Sequence, residues 1–288
     1  MQTGEMLEKI ERVLITEQPD LVIVFGDTNS TLAGALAAAK LHIPVAYVEA
    51  GLRSFDRSMP EEINRIITDH ISDLLFCPTQ TSVDNLAQEG VTKGVFLVGD
   101  VMVDALEYNR IIAEEKSGVI ERFGLNNNYM VLTVHRPANT DSRKNMVAII
   151  SAIRESGNKT IFPVHPRTRK CLEKYGLWNT LPLTIITTEP LGYLDMLKLM
   201  SHADKILTDS GGIQKEAYIL GVPCITLRDT TEWVETLKGG WNVLVGGDYA
   251  QIVSNIAQSH PISNSQSTIF GSGDCAKRMC NVINLRIN

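Results

Sequence analysis

Residues 21–51 read LVIVFGDTNSTLAGALAAAKLHIPVAYVEAG. Leu21 to Phe25 is an unbroken apolar run that stops at Gly26-Asp27. Val45 to Val48 is a second run, stopping at Glu49-Ala50-Gly51. Between them, Thr31 to Leu41 is rich in alanine, the strongest helix former. Short unbroken apolar runs suit strands buried on both faces, because helices cover each side of a parallel sheet. The stretch therefore predicts strand, helix, strand, with the strands parallel.

The pattern repeats further along. Met130 to Val134 ends in His135-Arg136, and Lys205 to Leu207 leads into Thr208-Asp209-Ser210-Gly211-Gly212. Pro223 to Leu227 ends in Arg228-Asp229. Upstream, Met6, Leu7, Ile10, Val13 and Leu14 recur at helical spacing. Such alternation predicts an α/β protein with doubly wound parallel sheets. Ligands of these sheets bind beyond the carboxyl ends of the strands. Asp27, Glu49, His135, Ser210 and Arg228 all fall at such ends.

The bulk numbers set limits. A chain of 288 residues, 44% apolar and 21% charged, is long enough for two globular domains. Its net charge of -6 argues against a nucleic-acid surface. The turn-rich stretch 116–129 suggests a boundary, giving domains over 1–120 and 121–273. A short helical tail follows over 274–288. The five cysteines form no C-x-x-C pair, which fits reduced thiols. No apolar run approaches the roughly 20 residues of a membrane helix, and no signal-peptide core opens the chain. A cytoplasmic protein is expected.

Each candidate site has a plainer structural reading beside the chemical one. Asp209-Ser210-Gly211-Gly212 joins a strand to a helix carrying Glu216. It fits a phosphate cradle at a helix N-terminus, or an ordinary cap by Asp209 or Ser210. Thr28, Asn29 or Ser30 can cap the helix after Asp27, which leaves Asp27 with less structural reason. Glu49 is an awkward carboxylate to bury unless it is catalytic or paired, and Arg53 is a possible partner. Glu61 and Glu62 open a helix behind Pro60, where acids also suit the macrodipole. His135-Arg136 and His165-Pro166-Arg167 suit anion contact and proton transfer. His42, His70, His202 and His260 read as surface or packing residues. No histidine spacing suggests a metal, and no G-x-G-x-x-G follows a strand to suggest a nicotinamide cofactor.

Taken together, seven segments resemble the non-hydrolysing UDP-N-acetylglucosamine 2-epimerase family. They are GDTNSTLAGALAAAKLHIPVAYVEAGLRSF (26–55), MPEEINRIITDHISDLLFCPT (59–79), VGDVMVDAL (98–106), TVHRPANTD (133–141), VHPRTR (164–169), LTDSGGIQKEA (207–217) and RDTTEW (228–233). The resemblance implies two Rossmann-like domains of the GT-B type with the active site in the cleft between them. It also implies a C-terminal helix returning to the first domain, and a homodimer. The implied reaction takes UDP-GlcNAc to UDP-ManNAc without any cofactor or metal. A base removes the C2 proton as UDP leaves C1, and the 2-acetamidoglucal is reprotonated on its other face before UDP adds back. Such clustered carboxylates should raise one another's pKa values.

Asp27, Glu49, Glu61 and His135 match the family's catalytic positions. Ser210, Gly211, Gly212 and Glu216 match its UDP-binding segment. Arg136, His165 and Arg228 are further substrate contacts by position. Two departures stand out. The family opens with a strand and a G-x-R-P-x-x-x-K segment that this chain lacks, so a shortened first domain with an open sheet edge is expected. Thr230-Thr231-Glu232-Trp233-Val234-Glu235 replaces the usual T-T-E-R-P-E, a form closer to members acting on a UDP-2,3-diacetamido glucuronate. That substrate, a hydrolysing epimerase and a non-catalytic UDP-sugar-binding remnant are the alternatives.

Overall fold

The computed structural model describes residues 2–126, 128–258 and 268–287. His260 therefore lies outside the described residues. Two compact units divide the chain, residues 1–105 with 267–288, and residues 106–266.

The first unit alternates as the apolar runs predict. Its elements are α1 (Gln2–Glu17), β1 (Val22–Phe25), α2 (Asn29–Lys40), β2 (Val45–Val48), α3 (Pro60–Ile71), β3 (Leu74–Cys77), α4 (Gln80–Gln88) and β4 (Val95–Leu97). The helix α5 (Val101–Lys116) leads into the second unit. All four strands are parallel, in the order β1-β2-β3-β4. Alternate residues serve opposite faces. Val45, Tyr47, Leu75 and Cys77 belong to one apolar cluster, and Ala46, Val48, Leu74 and Phe76 to another. This two-sided burial is why β2 and β3 read as unbroken apolar runs; the run Leu21–Phe25 does not follow it, because β1 is the edge strand of the four and leaves Ile23 and Phe25 exposed.

The second unit holds α6 (Val119–Arg122), β5 (Met130–Thr133), α7 (Pro137–Thr140), α8 (Arg143–Ser156), β6 (Thr160–Pro163), α9 (Pro166–Lys174) and β7 (Ile185–Thr188). It continues with α10 (Tyr193–Ser201), β8 (Lys205–Thr208), α11 (Gly211–Leu220), β9 (Cys224–Thr226), β10 (Asn242–Leu244) and α12 (Tyr249–Ala257). Its six parallel strands run β10-β9-β8-β5-β6-β7. The order reverses between β5 and β8, and such a switch point opens a crevice at the carboxyl ends of the strands. Met130, Leu132, Phe162, Leu207 and Ile225 fill one face. Val131, Ile161, Ile206 and Cys224 fill the other. The last helix, α13 (Cys275–Ile287), belongs to the first unit and packs Cys275 and Met279 into the cluster of Val98 and Phe76.

These clusters carry the stability. Phe162 is fully buried whereas Leu183 is fully exposed. Phe162→Ala should cost about 3–5 kcal/mol in chemical denaturation, and Leu183→Ala should stay within about 0.5 kcal/mol of the parent.

Candidate active site

In the first unit, the ends of β1 and β2 bring two of the expected carboxylates together. Thr28 caps α2, its side chain accepting the N–H of Thr31. Asp27 lies just before the cap, and its Oδ2 takes Arg65 Nη1 at 2.5 Å. Glu49 follows β2 with φ of +73°, a left-handed conformation strained for a non-glycine residue. Its carboxylate rests against Gly26, where a Cβ would lie 3.7 Å from Glu49 Oε2. Glu49 thus sits beside the residue preceding Asp27. Glu61 is partly exposed on the first turn of α3, one turn before Arg65.

The supporting groups are the ones that sequence reading missed. Arg65 is buried and joins Asp27 to the buried Glu62, with Nε 3.1 Å from Glu62 Oε2. Glu62 also accepts the Ser54 N–H at 2.9 Å, the Ser54 hydroxyl at 3.0 Å and the Phe55 N–H at 2.9 Å. Burial opposes its charge, but these donors and Arg65 outweigh burial and hold Glu62 below its ordinary pKa. Asn64 Nδ2 donates to the Asp27 carbonyl at 2.9 Å and to Asn29 Oδ1 at 3.2 Å.

A second buried charge network centres on Arg53. Arg53 directs its guanidinium to Asp69 at 2.6 Å and to Glu89 at 2.7 Å. The pairing foreseen between Arg53 and Glu49 thus gives way to Asp69 and Glu89, because an almost fully buried guanidinium needs several acceptors at once. Asp69 Oδ1 accepts the Gly51 N–H at 3.0 Å. Burial pushes the Asp69 carboxyl up to about 6, against the pull of Arg53. Gly51 has φ of +77°, and a Cβ there would run into the Ser82 carbonyl. No other residue fits this turn.

In the second unit, the switch point collects the other candidates. Asp209 is fully buried at the end of β8. It accepts the backbone N–H of His135 at 3.0 Å, that of Arg136 at 3.0 Å and Asn139 Nδ2 at 3.0 Å. His135 Nδ1 stands 3.3 Å from Asp209 Oδ1. Ser210, not Asp209, caps α11. Asp209 instead ties the β5 loop to the β8 loop and orients His135. Burial lowers the pKa of His135, and the neighbouring Arg136 and His165 push the same way against Asp209. A neutral ring with Nδ1–H toward Asp209 leaves Nε2 as an acceptor.

His165 caps α9, its Nδ1 accepting the Arg167 N–H at 3.2 Å. Its ring centre lies 6.2 Å from that of His135. Gly211 and Gly212 open α11, whose free N–H groups and partial positive charge face the crevice. Gly211 fits closely against Glu232 and Trp233. Glu216 is buried, which raises its pKa, and it accepts a hydrogen bond from Tyr193. Arg228 pairs with Glu232 at 3.0 Å. Lys215 Nζ sits 4.0 Å above the Trp233 ring. Arg136 Nε is buried with no hydrogen-bond partner among the described residues. Such a bare cationic donor beside a helix N-terminus suits an anionic ligand.

Known proteins share this fold and much of this sequence. A protein-family profile described as UDP-N-acetylglucosamine 2-epimerase matches residues 1–284. A Methanococcus maripaludis protein named UDP-N-acetylglucosamine 2-epimerase homolog is 53% identical, covering 98% of this chain and 80% of its own length. The UDP-2,3-diacetamido-2,3-dideoxy-D-glucuronate 2-epimerase of Pseudomonas aeruginosa is 44% identical over 96% of this chain and 78% of its own. The crystal structure of Methanocaldococcus jannaschii UDP-GlcNAc 2-epimerase with UDP-GlcNAc and UDP matches at a TM-score of 0.91 and 46% identity, over 99% of this chain and 81% of that one.

The lowered pKa of His135 has a measurable consequence. A histidine held neutral in the folded state binds fewer protons than the unfolded chain once the pH falls below the ordinary 6.5. Its contribution to stability is present above that pH and is lost as the pH drops toward the lowered value. Urea denaturation at pH 7.5 and 5.5 should show this loss, and His135→Gln should reduce the slope.

Proposed function

The chain belongs to the UDP-N-acetylglucosamine 2-epimerase family, and we propose that it interconverts UDP-GlcNAc and UDP-ManNAc without releasing UDP to water. The observation that carries this reading is the likeness, over nearly the whole chain, to an enzyme crystallised with UDP-GlcNAc and UDP.

The chemistry divides between the two sets of residues. The C2–H of the sugar has no neighbouring carbonyl and is not acidic. It can be broken only as the C1–O bond to UDP breaks, giving 2-acetamidoglucal. Protonation at C2 on the opposite face and return of UDP to C1 complete the inversion. This needs proton-transfer groups on both faces of the ring, and Asp27, Glu49 and Glu61 are the carboxylates assigned to it. The departing diphosphate needs anion stabilisation. The α11 N-terminus at Ser210, Gly211 and Gly212, with Arg136, His165 and Arg228, is assigned to that task. Glu216, further along α11, is assigned to the ribose hydroxyls. His135, oriented by Asp209, is assigned to stabilising the departing diphosphate.

A homodimer and a cytoplasmic location belong to the same proposal. No helix among the described residues is long and apolar enough to cross a membrane.

Incubation with UDP-GlcNAc in deuterated water, followed by proton NMR, tests the reading. Deuterium should enter C2 of both epimers while the anomeric proton keeps its coupling to phosphorus. Asp27→Asn, Glu49→Gln and Glu61→Gln should each lower kcat by about 10²–10⁴-fold with unfolding temperature retained. Normal turnover in all three overturns the assignment. Glu216→Ala should weaken UDP binding about tenfold, by calorimetry, and change kcat less.

A further inference from the structure

We propose that Glu232 is a positioning residue that fixes Arg228 beside the first turn of α11, and that residue 211 is a glycine in order to admit it; this rests on the reading of Arg228 as a diphosphate contact. Two glycines open α11, Gly211 and Gly212. Neither has a positive φ, so neither is required by the backbone conformation. The reason must be space, and the space differs between them. A Cβ on Gly212 would meet nothing nearer than Ser210 Oγ at 4.0 Å. A Cβ on Gly211 would run into Glu232 Oε1, with Trp233 Nε1 3.6 Å away. The room left by the missing side chain at 211 is thus filled from within the chain, by a carboxylate.

The tip of a glutamate is flexible and could yield to a methyl group, but this one is held at both ends. Arg228 Nη1 and Nη2 donate to its two oxygens at 3.5 and 3.0 Å. Only 11% of the Arg228 side chain and 12% of that of Glu232 is exposed. The backbone on either side of Glu232 is tied to α11. Thr231 Oγ1 donates to the fully buried Gln214 at 2.7 Å and accepts the Trp233 N–H at 3.1 Å. The Trp233 ring lies 4.0 Å from Lys215 Nζ. A methyl group at 211 therefore has to push the carboxylate off Arg228. Glu232 meets the guanidinium along one edge and leaves the other N–H groups of the planar fork for phosphate oxygens. An arginine already fixed in this way loses less conformational freedom when the diphosphate arrives. A carboxylate near a diphosphate also repels it, so positioning and competition predict opposite effects of removing Glu232.

Calorimetry with UDP on the full chain tests this in Gly211→Ala, Glu232→Ala and the double variant. Each single change should weaken UDP binding about tenfold, the scale of one side chain immobilised on binding. The double variant should bind within about twofold of Glu232→Ala, because the added methyl then meets no carboxylate. In an Arg228→Ala background, Glu232→Ala should shift UDP affinity by less than about twofold. Uridine, which lacks the diphosphate, should bind the parent and Glu232→Ala alike in a ligand-observed NMR titration. A matching loss of uridine binding makes Glu232 structural only and overturns its role. Additive losses from the two single changes put Gly211 against the ligand instead, and overturn it too. Tighter UDP binding in Glu232→Ala means that the carboxylate competes with the diphosphate, the opposite of positioning. A parent that does not bind UDP overturns the nucleotide reading and the role of Glu232 with it, whereas a parent that binds UDP with unaffected variants overturns the role of Glu232 alone.

Discussion

Carboxylates that must stay charged out of water shape both sites. Asp209, Glu62 and Asp69 are each almost fully buried. Each is held by several donors rather than by a single countercharge. Asp209 takes two backbone N–H groups and an amide. Glu62 takes two backbone N–H groups, a hydroxyl and a guanidinium. Asp69 takes one N–H and one guanidinium, and it is pushed upward where Glu62 is held down. The comparison shows what decides the outcome. Burial raises a carboxyl pKa, and enough directed donors bring it back down. Buried ion pairs of this kind add little net stability, but removing one partner strands the other. Their contribution here is geometric.

That geometry holds strained backbone in place. Glu49 and Phe55 both have positive φ, at +73° and +59°. Such residues persist only where the surroundings over-determine them. The Phe55 N–H is gripped by Glu62. Two residues beyond Glu49, the Gly51 N–H is gripped by Asp69 and its carbonyl by Asn85 Nδ2 at 3.0 Å. The loop from 49 to 59 is thereby anchored at two buried acids. Glu49 stands at one end of it, and α3, which carries Glu61 and Arg65, begins at the other.

Much of this frame is legible in the residues alone. Unbroken apolar runs mark strands, covered on both sides at β2 and β3 but not at the edge strand β1, and polar residues stop them. Asp27, Glu49, His135 and Ser210 are found by that rule. The groups that hold them are not. Asp209 reads as a helix cap because capping is a local rule, whereas its real partners lie 70 or more residues away in the chain. Glu62 sits beside Glu61 with the same side chain and the same helix-start environment. Only the turn of α3 sends one inward and leaves the other partly exposed. Local patterns show where chemistry can stand, and long-range contacts show what keeps it there.

The two units reach their sites by different topological means. In the second, the strand order reverses between β5 and β8, so the loops after these strands diverge and leave a crevice. His135 and the α11 N-terminus follow these two strands, and the buried Asp209 ties the two loops together. The four described strands of the first unit run in simple order, with no reversal among them. No crevice arises there from strand order. The long loop after β2 instead delivers α3 to the ends of the strands, where Asn64 holds the Asp27 carbonyl and Arg65 holds its carboxylate. Asp27 is thereby braced by side chains of α3. The difference in strand order therefore sets how each group of polar residues is held: by backbone N–H groups at the reversal, and by a returning helix where the order is simple.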